Sequence, residues 1–166
     1  MPSALRLTIA NQTRRKIETR RLRRKLLGAM KVLGIERAEW TITIVGDRAM
    51  GELHGRTMND PGTTDVLTFD LREAREIKKT REGAAVELDT VLCVDEAARR
   101  AKELRHGVDE ELLLYAIHSL LHVQGYDDVT ARGAARMHRR EDALLIALGI
   151  GPVYAAEEHE PARIPT

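Results

Sequence analysis

The segment "IHSLLHVQGYDD", residues 117–128, constrains the fold more than any other stretch of this chain. It closes an apolar run that is long enough for a helix, and on a helix His118 and His122 lie on one face about 5–6 Å apart. Gly125 follows, and glycine readily adopts the left-handed conformation that ends a helix and turns the chain back. The segment therefore predicts a helix and a reversing turn that brings the two following aspartates toward the histidines.

The same segment contains a candidate metal site. Imidazole nitrogens and carboxylate oxygens both bind zinc, so either Asp127 or Asp128 can supply a third ligand beside the two histidines. Three protein ligands leave the fourth zinc position open to water, which is typical of a catalytic site rather than a structural one. The histidine pair alone is weak evidence, since six histidines in 166 residues produce this spacing by chance in roughly one chain in five.

Periodicity along the chain predicts an α+β fold. Alternating apolar residues indicate half-buried strands, and apolar residues three to four apart indicate helices. The predicted strands are 4–12, 39–46, 65–71 and 85–94, and the predicted helices are 13–33, 47–57, 94–105, 108–124 and 129–148. Thr13 is the predicted N-cap of the first helix, residues 58–64 a loop, and residues 72–84 an exposed excursion. We expect a single domain over 1–150 and a flexible tail over 151–166. In that domain a small mixed sheet of about four strands packs with about five helices. The metal site is expected on a C-terminal helix and the turn that follows it.

Composition excludes two classes of protein. Cys93 is the one cysteine, which excludes a disulfide framework and indicates a reducing compartment, so we expect a cytoplasmic protein. No stretch approaches the roughly 18 uninterrupted apolar residues that a membrane span needs, so we expect a soluble protein without a membrane partner.

Positive charge is concentrated near the N-terminus. The net charge is only +1, but residues 14–31 carry nine Lys or Arg against the single acid Glu18. Such a segment suits a phosphate-backbone partner, because Lys and Arg gain affinity by releasing condensed counterions. It is equally compatible with the solvated face of an amphipathic helix. The candidate RNA-binding residues are Arg14, Arg15, Arg20, Arg21, Arg23 and Arg24.

Three sequence blocks resemble one known family. "HSLLHVQGYDD" resembles the signature H-G-x-L-H-L-x-G-Y-D-H of the YbeY family, which are metal-dependent single-strand endoribonucleases of bacterial ribosomal RNA maturation. "TDVLTFDL", residues 64–71, resembles the family's T-D-V-L-S-F-P, and "ELDTVLCV" resembles its L-G-D-I-x-I with Asp89 matching the acid. The blocks come in the family's order over roughly residues 40–148.

The resemblance implies a function and a partner. It implies a metal-dependent, single-strand-specific endoribonuclease that acts in rRNA processing, at the 3′ end of 16S rRNA, and in ribosome quality control. It implies one zinc ion per chain as cofactor, and single-stranded RNA, rRNA and the ribosomal subunit as partners. A metal-activated water or a ribose hydroxyl can then attack phosphorus, and the sequence leaves that choice open.

Departures from the family pattern assign the site residues more closely. Where the family's third ligand is His, this chain has Asp128, whose oxygen fills the same coordination role beside His118 and His122. Asp127 is then expected to support the turn or to lie behind the ligands in a second layer, where Tyr126 is also expected.

Two further positions also differ from the family. Ser119 replaces the first glycine of the signature, and the family's loop arginine falls on Met58, which cannot pair with phosphate. Arg56, two residues earlier, is the candidate catalytic replacement.

Other functions are compatible with parts of the pattern. Met58 would fit a catalytically weak or inactive ribosome-associated or RNA-binding protein that keeps a structural zinc. A zinc-dependent peptidase needs Glu directly after the first histidine, where this chain has Ser119. Two histidines and a carboxylate also describe the facial triad of iron oxygenases, which normally lies on β-barrel strands.

Overall fold

The structure is a computed structural model, and it describes residues 4–58 and 64–153. Its strands are β1 (Ala4–Asn11), β2 (Arg37–Val45), β3 (Val66–Asp70) and β4 (Val86–Cys93). Its helices are α1 (Thr19–Val32), α2 (Asp47–Met58), α3 (Ala74–Lys78), α4 (Val94–Leu104), α5 (Val108–His122) and α6 (Ala131–Ala147). Within these described residues no helix is long and apolar enough to cross a membrane.

The four strands form one mixed sheet in the order β1-β2-β4-β3. β1 pairs parallel with β2 and β2 parallel with β4, whereas β3 runs antiparallel to β4 at the edge. The prediction of an α+β fold with a small mixed sheet is therefore confirmed. The short helix α3 is the additional one, so the described part of the chain contains six helices where about five were expected.

Helix α5 lies at the centre of the packing. Its residues from Glu111 to Ile117 are all buried, so it is covered on nearly every side. It packs with α1 on the face of the sheet that carries Trp40 and Ile42, which are fully or almost fully buried. α2 covers the opposite face with a smaller apolar cluster built around Met50. The chain thus places its histidine-bearing helix inside the main core, where neighbouring elements hold it from several directions.

Helix α1 begins later than the sequence predicts, so the assignment of Thr13 as its N-cap is wrong. The side chain of Asn11 accepts hydrogen bonds from the backbone N–H and the hydroxyl of Thr13, at 3.0 and 2.7 Å. Its amide also donates to the carbonyl of Arg15 at 2.8 Å. These bonds stabilise a local turn that competes with helix formation, and the helix starts only at Thr19.

The excursion over 72–84 is exposed over most of its length, as predicted, and is docked at both ends. Arg72 is buried, bonding Asp70 at 2.6 Å and donating to the carbonyl of Val123 at 3.0 Å. At the other end, the buried Gln124 accepts from Gly83 N–H at 2.7 Å. The excursion therefore holds the chain just after α5, where the candidate metal turn begins.

Two sequence predictions fall wholly or partly beyond the described chain. The loop predicted over 58–64 includes residues 59–63, which lie outside the described residues, as does the side chain of Met58. Of the tail predicted over 151–166, only residues 151–153 lie inside the described part. The single-domain assignment stays a prediction.

Candidate metal centre

Helix α5 has the start and the end that the sequence requires. Three acidic residues, Asp109, Glu110 and Glu111, occupy its first turn, where carboxylates interact favourably with the helix dipole. After the helix, Gly125 has φ +97°, in the left-handed region. Tyr126 N–H then bonds the carbonyl of Leu121 at 3.1 Å, which closes the glycine-dependent helix end. The predicted reversing turn at Gly125 is confirmed.

The turn brings three side chains together. The Nε2 atoms of His118 and His122 lie 3.0 Å apart. Asp128 Oδ2 lies 3.3 Å from His118 Nε2 and 3.7 Å from His122 Nε2. Among the described residues, His118, His122 and Asp128 form a group whose ligand atoms are close enough together to hold one metal ion.

The three distances fit a divalent ion. Ligand atoms about 2.0–2.2 Å from a tetrahedral zinc are roughly 3.3–3.6 Å from one another. The observed separations of 3.0, 3.3 and 3.7 Å bracket that range. Nitrogen and carboxylate oxygen are also the donors that zinc accepts. His118, His122 and Asp128 could therefore hold one ion with a fourth position free for a further ligand.

A buried carboxylate from α6 completes this arrangement. Glu141 is fully buried, and its Oε1 accepts a hydrogen bond from Nδ1 of His118 at 2.9 Å. Because a carboxylate only accepts, Nδ1 of His118 carries the proton and Nε2 keeps its lone pair for a ligand. The second oxygen of Glu141 has no hydrogen-bond partner among the described residues. This negative charge favours positive charge at His118.

The pKa of His118 is raised for the same reason. Burial by itself lowers the pKa, but the hydrogen bond to Glu141 and the negative charges of nearby carboxylates outweigh burial. The surroundings of His118 thus favour a cation, whether that cation is a proton or a metal ion.

Ser119 anchors the helix to the sheet. Its hydroxyl lies 2.9 Å from Thr68 Oγ1 on β3 and 2.8 Å from Thr90 Oγ1 on β4. Trp40 Nε1 donates to the same Thr90 hydroxyl at 2.9 Å. This chain of polar groups, buried at Ser119 and Thr90, ties the residue next to His118 to three strands. Ser119, which replaces the glycine of the family signature, therefore makes hydrogen bonds to the sheet that a glycine has no side chain to make.

Asp127 supports the turn, as one of its two expected roles requires, and Tyr126 contacts the excursion and α6. Asp127 Oδ1 accepts from Val129 N–H at 2.9 Å and so supports the turn. The hydroxyl of Tyr126 donates to Glu82 at 3.0 Å, and the guanidinium of Arg136 lies 5.0 Å from its ring centre. Glu141 was not predicted from the sequence. Its signal was an acid placed among the apolar residues that α6 turns inward, such as Met137 and Leu144.

Arg56, the candidate catalytic residue, lies in the last turn of α2. Its guanidinium is exposed and lies 4.0 Å from Glu52 on the same helix. The connection from α2 to β3 passes through residues 59–63, outside the described chain.

The N-terminal arginines occupy two different settings. Arg14 and Arg15 precede α1, and Arg15 pairs with Asp95 at 3.4 Å. On α1, Arg23 donates to the carbonyl of Leu7 on the edge strand. The remaining α1 candidates, Arg20, Arg21 and Arg24, are exposed.

Comparison with known proteins gives consistent matches. A family model described as "Endoribonuclease YbeY" matches residues 8–149. "Endoribonuclease YbeY" of Anaeromyxobacter sp. (strain Fw109-5) is 38% identical over 157 residues, covering 89% of this chain and 78% of that protein. "Endoribonuclease YbeY" of Thermobifida fusca (strain YX) is 36% identical over 126 residues, covering 75% of this chain and 80% of that protein.

A solved structure shares the fold. The solution structure of TM1509 from Thermotoga maritima matches with a TM-score of 0.61 and 20% identity, covering 96% of this chain and 97% of that one. At this level of identity the likeness shows the fold alone.

Proposed function

Because this chain belongs to the endoribonuclease YbeY family, we propose that it cleaves single-stranded RNA with one divalent metal ion held by His118, His122 and Asp128. The family makes the chain a hydrolytic endoribonuclease in rRNA processing, with RNA as its substrate. The observation that carries the proposed site is the triangle of ligand atoms at 3.0, 3.3 and 3.7 Å.

The site is open enough for a polymeric substrate. The side chains of His118, His122 and Asp128 are 23%, 30% and 41% exposed. A phosphodiester can therefore approach the ligands from the solvent side while α5 and α6 hold them from behind. A divalent ion bound here would acidify water and offset negative charge on phosphoryl oxygens.

The surrounding protein residues orient the ligands. Glu141 keeps the proton of His118 on Nδ1, so that Nε2 points its lone pair at the ligand triangle. Ser119 and its threonine partners fix the helix on which both histidines lie. Asp127 shapes the turn that presents Asp128. Such rigid support is what a catalytic site needs to keep ligand positions constant.

We propose zinc as the metal, with one ion per chain. Two imidazoles favour zinc over magnesium or calcium, which prefer oxygen ligands alone. The metal carries two positive charges, and Asp128 and the buried Glu141 supply two negative ones. The donor set and the charge balance thus both agree with a zinc ion.

Arginine side chains are proposed to contact the RNA substrate. Arg56 would act on the RNA phosphate in place of the family arginine, whose position Met58 occupies. The arginines at 14, 15, 20, 21, 23 and 24 would contribute electrostatic attraction without reading sequence. The ribosomal subunit would be the setting in which rRNA is met, with the 3′ end of 16S rRNA as the cleavage target, in the cytoplasm.

The position next to His118 argues against a peptidase. A zinc peptidase of the H-E-x-x-H type places its general base there. In this chain the position is Ser119, whose buried hydroxyl is engaged by Thr68 and Thr90. It cannot turn toward a metal-bound substrate without breaking both contacts.

The proposed function is tested by assaying purified protein on matched single-stranded and duplex RNA, with and without chelator. We expect cleavage of the single strand alone, lost in chelator and restored by zinc. His118→Ala and His122→Ala should lose both bound zinc and cleavage. Cleavage that survives chelator, or full zinc content in both variants, would overturn the proposal.

A further inference from the structure

The N-terminal half of α6 carries a separate group of arginines that the N-terminal candidates do not include. Residues 131–140 contain four arginines and no acidic residue. Arg132, Arg136 and Arg139 follow the i, i+4, i+7 spacing that places side chains on one side of a helix. All three are exposed. We call these three residues the α6 arginine face.

This face borders the candidate metal centre. Gly133 lies in the first turn of α6, where an added Cβ would be only 2.4 Å from the carbonyl oxygen of Asp127. The guanidinium of Arg136 lies 5.0 Å from the ring centre of Tyr126, in the same turn as the ligand Asp128. Glu141, which bonds His118, lies on the buried side of α6. The face therefore adjoins the metal centre through the first turn of the helix and Tyr126.

The charges of the face are available to a ligand. Within the described residues, Arg132 and Arg139 make no ion pair, and Arg136 contacts the Tyr126 ring instead of a carboxylate. The next arginine along, Arg140, differs because it is held by Glu82 at 2.5 Å. Unpaired guanidinium groups can bind phosphate without first breaking an existing ion pair. The three residues thus form a compact cationic surface with no internal compensation.

Arg136 adds a second kind of contact. Its planar guanidinium is held over an aromatic ring, so its orientation is restricted before any ligand arrives. An arginine plane of this kind stacks on nucleobases of any identity. Phosphate contacts combined with one stacking plane are typical of proteins that bind single strands without reading sequence.

We propose that the α6 arginine face is the surface along which single-stranded RNA is held as it enters the metal centre. The proposal rests on the proposed nuclease function for the identity of the polyanion. Arg132 and Arg139 bind backbone phosphates, and Arg136 supplies charge and a stacking plane beside the Tyr126 turn. The metal ligands receive the phosphodiester next to the one held by the helix.

The test compares two triple variants that change the same amount of charge. In the first, Arg132→Gln, Arg136→Gln and Arg139→Gln are combined. In the matched control, Lys31→Gln, Arg37→Gln and Lys102→Gln are combined, three cations that are also exposed and have no contact with the metal turn. Binding of a non-cleavable 2′-O-methyl RNA strand is measured by fluorescence anisotropy. The salt concentration is varied from roughly 50 to 200 mM, because electrostatic binding to nucleic acids weakens strongly over this range.

The face variant should bind roughly tenfold or more weakly at low salt than wild type. Its slope of log affinity against log salt should be smaller by about 2, because each phosphate contact on a single strand contributes about 0.7. The control should stay close to wild type in slope. Equal affinity and equal slope for the two triple variants would overturn the proposal. Zinc content and circular dichroism of the face variant should match wild type, which separates a binding defect from misfolding.

Cleavage assays on the same proteins separate this inference from the nuclease proposal. If the face variant loses binding while wild type binds RNA but never cleaves it, the surface stands and the nuclease fails. If both triple variants bind and cleave like wild type with full metal dependence, the nuclease stands and the surface fails.

Discussion

Glu141 Oε1 lies 2.9 Å from His118 Nδ1, and this hydrogen bond links α6 to the helix that carries the two histidines of the proposed metal site. The two residues are 23 positions apart in the chain, and the carboxylate is fully buried. The bond fixes the proton of His118 on Nδ1, which leaves Nε2 as the nitrogen for the proposed metal ion.

Glu141→Ala should weaken zinc binding by about 10- to 100-fold, because loss of such an outer partner leaves the histidine free to change tautomer and orientation. Zinc affinity is measured by competition with a chromophoric chelator. Asp142→Asn is the matched control, since Asp142 is the neighbouring buried carboxylate and accepts from Val153 N–H instead. Equal zinc affinity in both variants would show that Glu141 does not orient His118 for zinc.

Asp128→Asn should lose zinc, whereas Asp127→Asn should keep it. Asp128 Oδ2 faces both histidines, but the carboxylate of Asp127 bonds the backbone of Val129. Asp128→His, which restores the residue of the family signature, should keep zinc as well. Zinc content after gel filtration is the measurement. Loss of zinc in Asp127→Asn with retention in Asp128→Asn would mean that the wrong aspartate has been chosen.

Gly133→Ala should destabilise the fold by about 1–3 kcal/mol and weaken zinc binding, because overpacking against backbone forces a shift. The new Cβ would be 2.4 Å from the carbonyl oxygen of Asp127, beside the proposed ligand Asp128. Gly28→Ala is the matched control on α1, where the Cβ meets only the end of the Leu148 side chain at 2.9 Å. Its stability in urea should be unchanged or higher, with normal zinc affinity. A Gly133→Ala protein as stable as Gly28→Ala would contradict this description of the turn.

Ser119→Ala should lower the free energy of unfolding by about 1 kcal/mol, the net contribution of a typical hydrogen bond, because the half-buried Thr68 can bond water instead. The partner that loses most is Thr68, since Thr90 keeps the bond from Trp40. Urea unfolding measures the effect, with the exposed Thr41→Ala as control. If both variants unfold alike, the hydroxyl chain contributes little to the stability of the metal-binding helix.

Spacing within one short segment was sufficient to predict that the two histidines share a helix face and that the chain reverses after them. A four-residue separation places His118 and His122 on one face of any helix, and a glycine with positive φ at 125 reverses any chain. Strand alternation likewise predicted the four-stranded sheet, because every strand has at least one face against the core.

Long-range contacts are the part that the sequence did not predict. Glu141 reaches His118 only because α6 packs beside α5, and no spacing rule specifies that packing. The late start of α1 depends on the side chain of Asn11, which competes with the helix for hydrogen bonds. The docking of the 72–84 excursion depends on Gln124, far along the chain.

Zinc dependence is tested directly by titrating zinc into metal-free protein during cleavage of a single-stranded RNA. We predict no cleavage without metal, a linear rise in rate on adding zinc, and a plateau at one equivalent per chain. The same titration of the His118→Ala protein should stay flat. Cleavage by metal-free protein, or a plateau reached equally by His118→Ala, would contradict the account.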